Sequence, residues 1–418
     1  MAAFHRLLQA TVHKPPARLE RSAMTELGHH LITITSRPDT VFVEGRGSWL
    51  MDERGRRYLD LVQGWAVNSL GHSPALIAKA LADQAARLIN PSPAFFNRPM
   101  LALSERLVAL SCFDRVFLAS SGAEVNEGAV KLARRWGSRA RSGAFEIIGF
   151  EDGFHGRTLA MMSASGKPGW DRLYPPMPGG FAKARLNDIG SVERAITPQT
   201  VAVMMELVQG EGGVQLADPG FVRELRALTA ERQVLLIADE VQTGIGRCGR
   251  AFAYELFGIE PDVMTLAKGI GGGVPLAALL CKEELNCFEP GDQGGTYCGN
   301  PLTAAVGLAV VNEVCRHEFL HAVRQRADQL SRGLQALAKD HGLPGERGAG
   351  LLRALVLPSD IAHAVVAAAR ELAPVGLLLN APRPHLLRFM PALTISEAEI
   401  DEGLELLRTA LRQVMGQM

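Results

Sequence analysis

The feature that most constrains the fold is the alternation of helix-like and strand-like segments between about residues 71 and 310. Near-continuous apolar runs, such as VLLIADEV (234–241) and VMTLAK (263–268), are typical of strands buried on both faces. Between such runs, residues 123–137 and 221–232 have the apolar spacing of amphipathic helices. Further strands are predicted at 115–119, 145–150, 201–207 and 276–281. This alternation predicts an α/β fold with a mainly parallel central sheet.

The two ends of the chain predict a second, smaller domain. Residues 41–62 alternate apolar and polar side chains with two breaks, which indicates short strands joined by turns. After residue 311 a long helix precedes two strand-like runs, GLLRALVL (350–357) and HLLRFMPAL (385–393), and a closing helix starts at Glu397. We therefore predict three segments: an N-terminal arm and segment (1–70) that joins the small domain, a large domain (71–310), and a C-terminal small α+β domain (311–418).

Composition and charge exclude several classes of protein. The 44 basic and 44 acidic residues cancel, which argues against a protein that grips nucleic acid by bulk charge. The longest apolar runs stop near about ten residues, well short of a membrane span. The N-terminal MAAFHRLLQATVHKPPARLE lacks a continuous apolar segment, so we interpret it as a flexible arm, with a transit peptide as the alternative.

The six cysteines predict free thiols in a reducing compartment. No C-x-x-C pair occurs, and no histidine is spaced with a cysteine as in a zinc site. A disulfide between Cys281 and Cys287 is the alternative, with little to support it. We therefore expect a cytoplasmic protein without a bound metal.

Polar residues that directly follow the predicted strands are the candidates for chemistry, because ligands bind at the carboxyl ends of strands in an α/β sheet. The first group is SSGAE (120–124), where Ser121 fits a helix N-cap and Glu124 completes a capping box. A helix N-terminus of this kind binds phosphate readily. An ordinary capped helix would explain the same pattern.

The second group is the acid pair Asp239 and Glu240, and the third is Lys268. Five apolar residues precede the acids, so a carboxylate there needs a cationic or hydrogen-bonding partner. Lys268 lies between an apolar strand and the glycine-rich GIGGGVP (269–275). Partial burial in such a place lowers the pKa of a lysine and makes its amine nucleophilic. A helix cap and a lysine at a strand end are the structural alternatives.

Together the three groups predict a pyridoxal phosphate site. That cofactor needs a lysine that forms a Schiff base, a carboxylate on its pyridinium nitrogen, and a cradle for its phosphate. Lys268, Asp239 and the segment around Ser121 supply these three parts.

The chain resembles the class III, fold-type I aminotransferases, and within them most closely the acetylornithine aminotransferase group. The resemblance runs from about residue 30 to about 412 and rests on motifs in a fixed order. These are SSGAEVNE (120–127), FHGRT (154–158), ELVQGEGGV (206–214), LLIADEVQTGIGRCG (235–249), TLAKGIGGGVP (265–275), GTYCGNP (295–301) and LRFMPALTISEAEID (387–401).

The resemblance implies a set of cofactor-binding residues. Lys268 would form the Schiff base and later move a proton between substrate and cofactor, and Asp239 would keep the pyridinium nitrogen protonated. The other implied contacts are the phosphate-binding Ser121, Gly122 and Ala123, the ring-sandwiching Phe154 and Val241, Gln242 at the 3-oxygen, Glu206 in support of the ring-binding acid, and His155. Thr296 would reach the phosphate of the neighbouring subunit's cofactor in a homodimer. A hydrogen-bonded core histidine would equally explain His155.

The resemblance also implies how one site accepts two kinds of substrate. Arg157 would bind the α-carboxylate of an ω-amino acid, and Arg388 would bind that of 2-oxoglutarate or glutamate. Glu211 would mask Arg388 until a competing carboxylate arrives, although the two could form a purely structural ion pair. The implied reaction moves the ω-amino group of N-acetylornithine to 2-oxoglutarate by a ping-pong Schiff-base mechanism in arginine biosynthesis.

Several alternatives stay open on the sequence alone. Other ω-amino donors are succinylornithine, succinyl-diaminopimelate, ornithine, putrescine and 4-aminobutyrate. A pyridoxal phosphate aminomutase, a dinucleotide-dependent oxidoreductase and a non-catalytic binding protein are further readings, although no early G-x-G-x-x-G motif supports the dinucleotide. Gly64 stands where ornithine aminotransferases carry a tyrosine, which favours an acylated donor unless Trp65 refills the space. Leu207, Cys248 and Cys298 also depart from the family pattern.

Overall fold

The computed structural model describes residues 30–416, and most of that length belongs to regular elements. The strands are β1 (Phe42–Arg46), β2 (Trp49–Asp52), β3 (Arg57–Asp60), β4 (Arg115–Ala119), β5 (Glu146–Phe150), β6 (Phe181–Ala184), β7 (Thr200–Met205), β8 (Val208–Gln209), β9 (Gln215–Leu216), β10 (Leu235–Asp239), β11 (Val263–Leu266), β12 (Ala277–Cys281), β13 (Gly345–Ala349), β14 (Leu352–Val356), β15 (Gly376–Leu378), β16 (Asn380–Arg383) and β17 (Leu386–Phe389).

Seven of the ten principal helices of residues 30–416 begin with a side chain that caps the helix N-terminus. The ten are α1 (Ala75–Ala85), α2 (Arg98–Leu110), α3 (Gly122–Ala140), α4 (Leu159–Ala164), α5 (Ile189–Ala195), α6 (Pro219–Glu231), α7 (Pro301–Val314), α8 (His317–Asp340), α9 (Ala362–Glu371) and α10 (Glu397–Met415). Asp218 caps α6 by accepting hydrogen bonds from two backbone N–H groups, and proline occupies the first helical position. Ser396 and Glu399 form a reciprocal capping box at the start of α10.

Seven strands form the large central sheet, in the order β4-β12-β11-β10-β7-β5-β6. β12 pairs antiparallel with both of its neighbours, and every other pair in the sheet is parallel. The predicted α/β fold with a mainly parallel sheet is therefore confirmed. Because β4, β10 and β11 all point the same way, their carboxyl ends meet at one edge of the sheet.

The central sheet is covered on both faces, which explains its near-continuous apolar strands. Along β10, Leu236 belongs to one apolar cluster, whereas Leu235 and Ile237 belong to another. The first cluster includes buried side chains of α2, α6 and α7, and the second includes those of α3. Each fully buried aliphatic side chain contributes about 1.5–3 kcal/mol to folding.

The two ends of the described chain share one sheet, in the order β1-β2-β3-β15. β3 pairs in parallel with β15, although their residues are more than 300 positions apart. Glu399 of α10 reinforces the junction by accepting hydrogen bonds from Trp49 Nε1 (2.8 Å) and Ser48 Oγ (3.2 Å). A third sheet, β13-β14-β17-β16, holds the C-terminal strands. The domain boundaries 1–70, 71–310 and 311–418 stay a prediction.

Two further properties concern the described residues alone. Between residues 30 and 416, no helix is long and apolar enough to cross a membrane. Within the same range, no cluster of three or more His, Cys, Asp or Glu side chains could hold a metal ion. The N-terminal segment interpreted as a flexible arm lies outside the described residues.

Candidate active site

A cavity of about 330 Å³ opens at the carboxyl edge of the central sheet, where a ligand is expected in an α/β fold. Asp239 ends β10, Lys268 begins the short 3-10 turn after β11, and Ser121 follows β4. The predicted site residues that line this cavity are Ser121, Gly122, Ala123, Phe154, His155, Glu206, Glu211, Asp239, Val241, Gln242 and Lys268. Segments far apart in the sequence thus meet at one place.

Lys268 lies in the cavity wall with a backbone φ of 45°. This left-handed conformation costs a non-glycine residue about 1–2 kcal/mol, so the surrounding fold must hold it. Burial, with a smaller contribution from the positive charge of Arg388, lowers the pKa of the Lys268 ammonium to about 8. The carboxylates of Glu211, Glu206 and Asp239 oppose that shift. Near neutral pH a useful fraction of the amine is therefore unprotonated and nucleophilic.

Asp239 is almost fully buried and is held by three hydrogen-bond donors. His155 Nδ1 lies 2.7 Å from Asp239 Oδ2, and Asn126 Nδ2 donates to the same oxygen at 2.8 Å. The backbone N–H of Val241 donates to Asp239 Oδ1 at 3.0 Å. These bonds satisfy the need of a buried carboxylate for partners and fix its orientation toward the cavity.

The start of α3, where the sequence predicts a phosphate cradle, lies in the cavity wall. Ser121 is the N-cap, as predicted, and its Oγ accepts from the backbone N–H of Glu124 at 3.4 Å. The capping box, however, is not reciprocal: Glu124 Oε2 accepts from the N–H of Ser120 (3.1 Å) and not from Ser121. The first N–H groups of a helix have no acceptor within it, so those of Gly122 and Ala123 suit an anion. A side chain at Gly122 would come within 2.9 Å of Val241.

Phe154 and Val241 both line the cavity. Two residues that are predicted to sandwich a flat ring must both do so. Glu206 secures the Phe154 backbone, since its Oε1 accepts from the Phe154 N–H at 2.8 Å while Oε2 accepts from Gly210 at 3.1 Å. Burial raises the pKa of Glu206 to about 7. Trp170 packs edge-on against Phe154, with ring centroids 5.7 Å apart.

Gln242 has a buried amide nitrogen, Nε2, with no hydrogen-bond partner among the described residues. Its Oε1 accepts from Arg388 Nη1 at 3.3 Å, which fixes the side chain in the cavity wall. An unsatisfied buried donor costs about 1–3 kcal/mol, so this N–H group is suited to an acceptor on a bound ligand. The contact of Gln242 with the 3-oxygen of pyridoxal phosphate stays a prediction.

Arg388 and Glu211 form an ion pair beside the cavity. Arg388 Nη2 lies 2.6 Å from Glu211 Oε1, and Nε donates to Asn380 Oδ1 at 2.9 Å. The Arg388 side chain is fully buried, whereas that of Glu211 is 32% exposed. Burial raises the pKa of Glu211, but the charge and hydrogen bonds of Arg388 outweigh it, so the net shift is downward. Glu211 thus has access to solvent, whereas Arg388 has none.

Three predicted site residues do not line the cavity: Arg388, which lies beside it in the ion pair with Glu211, Arg157 and Thr296. Arg157 is exposed, with its guanidinium 5.5 Å from the ring centroid of Trp170 and 5.8 Å from that of Phe154, so it lies beside the cavity. Thr296 lies on an exposed loop, where its carbonyl accepts from Asn90 Nδ2 at 3.2 Å. Trp65, considered as a group that could refill the pocket, is 52% exposed and does not line the cavity either.

Glu240 turns away from the cavity, although it follows Asp239 directly. Its carboxylate accepts from the backbone N–H groups of Ala253 (2.6 Å) and Tyr254 (2.8 Å), and burial raises its pKa to about 7. Successive side chains of a strand point to opposite faces, which separates the two acids. Asp239 is thus the acid at the site, and Glu240 caps a short turn.

Sequence reasoning missed residues that support the site from behind. Asn126 contacts Asp239, Thr265 donates to Asn126 Oδ1 at 2.6 Å, and Trp170 packs on Phe154. The available signal was a polar residue in an otherwise apolar pattern: Asn126 lies on the buried face of α3, and Thr265 lies within the buried strand VMTLA. A single polar residue of this kind does not reveal its partner.

Comparison with known proteins decides the family. The model of the family Aminotransferase class-III matches residues 34–411. The chain belongs to the class III aminotransferases. Among curated members, it is 60% identical over 386 residues to the acetylornithine aminotransferase of Ralstonia nicotianae, covering 91% of this chain and 97% of that protein. It is 61% identical over 375 residues to acetylornithine aminotransferase 2 of Bordetella bronchiseptica, with 90% and 95% covered.

Solved structures of class III aminotransferases share the fold. The N-acetylornithine aminotransferase of Stenotrophomonas maltophilia matches with a TM-score of 0.81 and 34% identity, covering 94% of this chain and 100% of that chain. The ornithine aminotransferase of Toxoplasma gondii matches with a TM-score of 0.90 and 27% identity, covering 100% and 99%. The protein is a pyridoxal phosphate-dependent aminotransferase that uses an amino acid and a keto acid.

The residues present fit that cofactor on three independent observations. The cavity contains a lysine whose lowered pKa suits reaction with an aldehyde. The N-terminus of α3 faces the cavity and suits a phosphate group. The unpartnered Nε2 of Gln242 suits an oxygen acceptor on the ring.

The lowered pKa of Lys268 predicts how the apoenzyme captures its cofactor. Only the unprotonated amine reacts with an aldehyde, and its fraction rises as the pH passes through about 8. We expect the rate of pyridoxal phosphate uptake to rise with pH, with a midpoint near that value. Stopped-flow absorbance on the apoenzyme measures it, and a midpoint near the ordinary pKa of a lysine would contradict the assignment.

Gly210 predicts a second effect on cofactor binding. A Cβ atom at this position would lie 1.7 Å from Gln242 Oε1, so Gly210→Ala must displace the Gln242 side chain. Displacement removes the hydrogen bond that Gln242 would donate to the cofactor, worth about 0.5–1.5 kcal/mol, so we expect roughly 2- to 13-fold weaker pyridoxal phosphate binding by titration. Gly179→Ala is the matched control, because nothing lies within 4 Å of the added atom. Equal cofactor affinity in both variants would contradict the role of Gln242.

Proposed function

We propose that this protein transfers the ω-amino group of N-acetylornithine to 2-oxoglutarate, giving the semialdehyde and glutamate, as a step of arginine biosynthesis. The observation that carries the transaminase part is Lys268 facing Asp239 in one cavity, beside an arginine masked by a carboxylate. The donor is supported by relatives that bear the name acetylornithine aminotransferase at 60–61% identity over almost their whole length.

The chain's own residues hold the cofactor in this proposal. Lys268 would bind it covalently, Asp239 would pair with its ring nitrogen, and Gln242 would donate to its 3-oxygen. Ser121, Gly122 and Ala123 would hold the phosphate, and Phe154 and Val241 would sandwich the ring. His155 holds Asp239, and Glu206 holds the Phe154 backbone. When bound, pyridoxal phosphate supplies the electron sink that stabilises negative charge on the substrate carbon.

Lys268 Nζ then moves the proton. With cofactor and donor bound, the Lys268 amine would remove the proton from the carbon that bears the transferred nitrogen. The lowered pKa of Lys268 keeps this amine unprotonated in part near neutral pH, as a general base requires. Asp239 contributes by holding the ring nitrogen protonated throughout, and its three hydrogen-bond donors keep it in place.

Arg388 and Glu211 give the site two binding modes. While the ω-amino donor occupies the site, the Glu211 carboxylate neutralises Arg388 at 2.6 Å. 2-Oxoglutarate brings a competing carboxylate, and Glu211, which is one-third exposed, moves aside. Arg157 binds the α-carboxylate of the donor at the cavity's edge. No salt bridge within residues 30–416 involves Arg157, so its charge is available to a ligand.

The active form in this proposal is a homodimer in the cytoplasm. Thr296 does not line the cavity of its own chain, which supports a role at the cofactor phosphate of a partner subunit. Phe95, Phe96 and Tyr297, in loops joined by the Asn90–Thr296 hydrogen bond, are at least 66% exposed and suit an interface. All six cysteines are free thiols, which suits a reducing compartment.

A half-reaction screen tests the donor. The purified holoenzyme is mixed separately with N-acetylornithine, N-succinylornithine, succinyl-diaminopimelate, ornithine, putrescine and 4-aminobutyrate, and loss of the cofactor's lysine-bound absorbance is followed. We expect the highest rate constant per concentration for N-acetylornithine, and turnover only when 2-oxoglutarate is added. A higher value for another donor would replace the proposed substrate. Product formation without any keto acid would indicate an aminomutase.

A further inference from the structure

Asn126 lies in the cavity wall and donates a hydrogen bond to Asp239, the ring-binding acid. It belongs to the second turn of α3, is 1% exposed, and makes three hydrogen bonds. Its Nδ2 donates to Asp239 Oδ2 at 2.8 Å and to the backbone carbonyl of His155 at 2.7 Å. Its Oδ1 accepts from Thr265 Oγ1 at 2.6 Å. Each polar atom of this buried amide therefore has a partner.

These partners leave the amide only one orientation. Asp239 Oδ2 and the His155 carbonyl can only accept, so both must face the NH₂ group of Asn126. Thr265 can donate its hydroxyl proton, and in this position it does so to Asn126 Oδ1. A flipped amide would place its oxygen against the Asp239 carboxylate in a buried setting, where such repulsion is costly. Thr265 thus selects the orientation that lets Asn126 donate to the acid.

The arrangement leaves Asp239 one acceptor position. A carboxylate offers about four lone-pair directions. Asn126 and His155 occupy both directions on Oδ2, and the Val241 N–H occupies one on Oδ1. Because Asp239 lines the cavity, the remaining direction on Oδ1 is available to the cofactor's ring nitrogen.

We propose that Asn126, oriented by Thr265, is a positioning residue that aims Asp239 at the cofactor ring. The proposal rests on the transaminase function above but not on the identity of the donor. Asn126 acts through Asp239 and not on substrate, so its loss weakens the ring nitrogen's protonation and slows both half-reactions equally. Loss of Asn126 should therefore change the KM values of the two substrates to the same extent.

The experiment compares Asn126→Ala, Thr265→Val and Thr265→Ser, with Thr229→Val as the matched control. Thr229 is also fully buried, but its hydroxyl bonds to a carbonyl of its own helix, away from the cavity. Pyridoxal phosphate labelled with ¹⁵N at the ring is bound to each variant, and its NMR shift reports the ring's protonation. Single-turnover rates of both half-reactions and the melting temperature of the apoenzyme are measured in parallel.

Asn126→Ala is expected to move the ¹⁵N shift toward the unprotonated value and to slow both half-reactions about 10- to 100-fold, as for a lost hydrogen bond to a charged group. Thr265→Val should shift both readouts in the same direction but less, and Thr265→Ser should restore them. An unchanged ¹⁵N shift and rate in Asn126→Ala and Thr265→Val, with only a lower melting temperature, would show a merely structural role and overturn the proposal.

The experiment gives a result even if one variant does not fold or no donor reacts. If Asn126→Ala does not fold, the Thr265 pair carries the test, since valine and serine each keep most of the threonine shape. If no donor reacts even with the unchanged protein, the transaminase proposal fails. The ¹⁵N shift of the bound cofactor then still decides whether Asn126 controls the ring nitrogen.

Discussion

Lys268→Ala is expected to lower the turnover number by a factor on the order of 10⁵ or more, comparable to the loss of a catalytic nucleophile in other enzymes. The variant loses both the covalent attachment and the base that moves the proton, and no other lysine lines the described cavity. The cofactor's lysine-bound absorbance should disappear as well. Steady-state assays with donor and 2-oxoglutarate, together with spectra of the purified variant, measure both effects.

Lys183 offers a matched control for that substitution. Burial lowers the pKa of its ammonium to about 8 as well, but its Nζ donates to the carbonyls of Ser163 and Ala164, outside the cavity. Lys183→Met should therefore reduce stability and yet keep the absorbance band. Retention of both band and turnover by Lys268→Ala would refute the assignment of Lys268.

Arg388→Ala is expected to slow the 2-oxoglutarate half-reaction about 100-fold or more, and the donor half-reaction far less. Each hydrogen bond between this guanidinium and the 2-oxoglutarate carboxylate is worth about 1.5–3 kcal/mol, and the ω-amino donor does not need them. Single-turnover kinetics for each half-reaction separate the two effects. Equal losses in both half-reactions would remove the two-mode account.

Glu211→Gln and Arg353→Ala complete this comparison. Without the Glu211 charge, Arg388 stays unmasked, so 2-oxoglutarate and glutamate should bind more tightly and compete more strongly with the donor. Arg353 pairs with Glu346 at 2.8 Å on the strand beside β17, and its side chain is only 13% exposed. Arg353→Ala should reduce stability without changing the ratio of the two half-reaction rates. If Arg353→Ala also changed the ratio of the two half-reaction rates, damage to the sheet alone would explain the effect of Arg388→Ala, and the two-mode account would lose its support.

The position of Lys268 and Asp239 could be predicted because both follow long apolar strands. In a parallel sheet, the ends of such strands must meet at one edge, whatever the connections between them. The same reasoning placed Ser121 at a helix N-terminus, since the strand before it and the apolar spacing after it are both clear. Local pattern and sheet geometry were sufficient for these three residues.

Other parts of the site depend on contacts that no local pattern contains. Thr265 and Asn126 are 139 positions apart, and they meet only because α3 packs across β11. Glu240 accepts from the backbone N–H groups of Ala253 and Tyr254, in a turn that no strand pattern predicts. The sequence therefore could not show that Asp239 faces the site while Glu240 caps this turn. Glu124 bonds to Ser120 and not to Ser121 because of backbone geometry within a single turn.

The most direct test of the account is to find the lysine that carries the cofactor. Borohydride converts a lysine-bound aldehyde into a stable secondary amine, which survives proteolysis and adds a fixed mass to one peptide. The account predicts a single modified peptide that contains Lys268, at close to one cofactor per chain. Modification of Lys183 or any other lysine in its place, or an unmodified digest from holoenzyme, would contradict it.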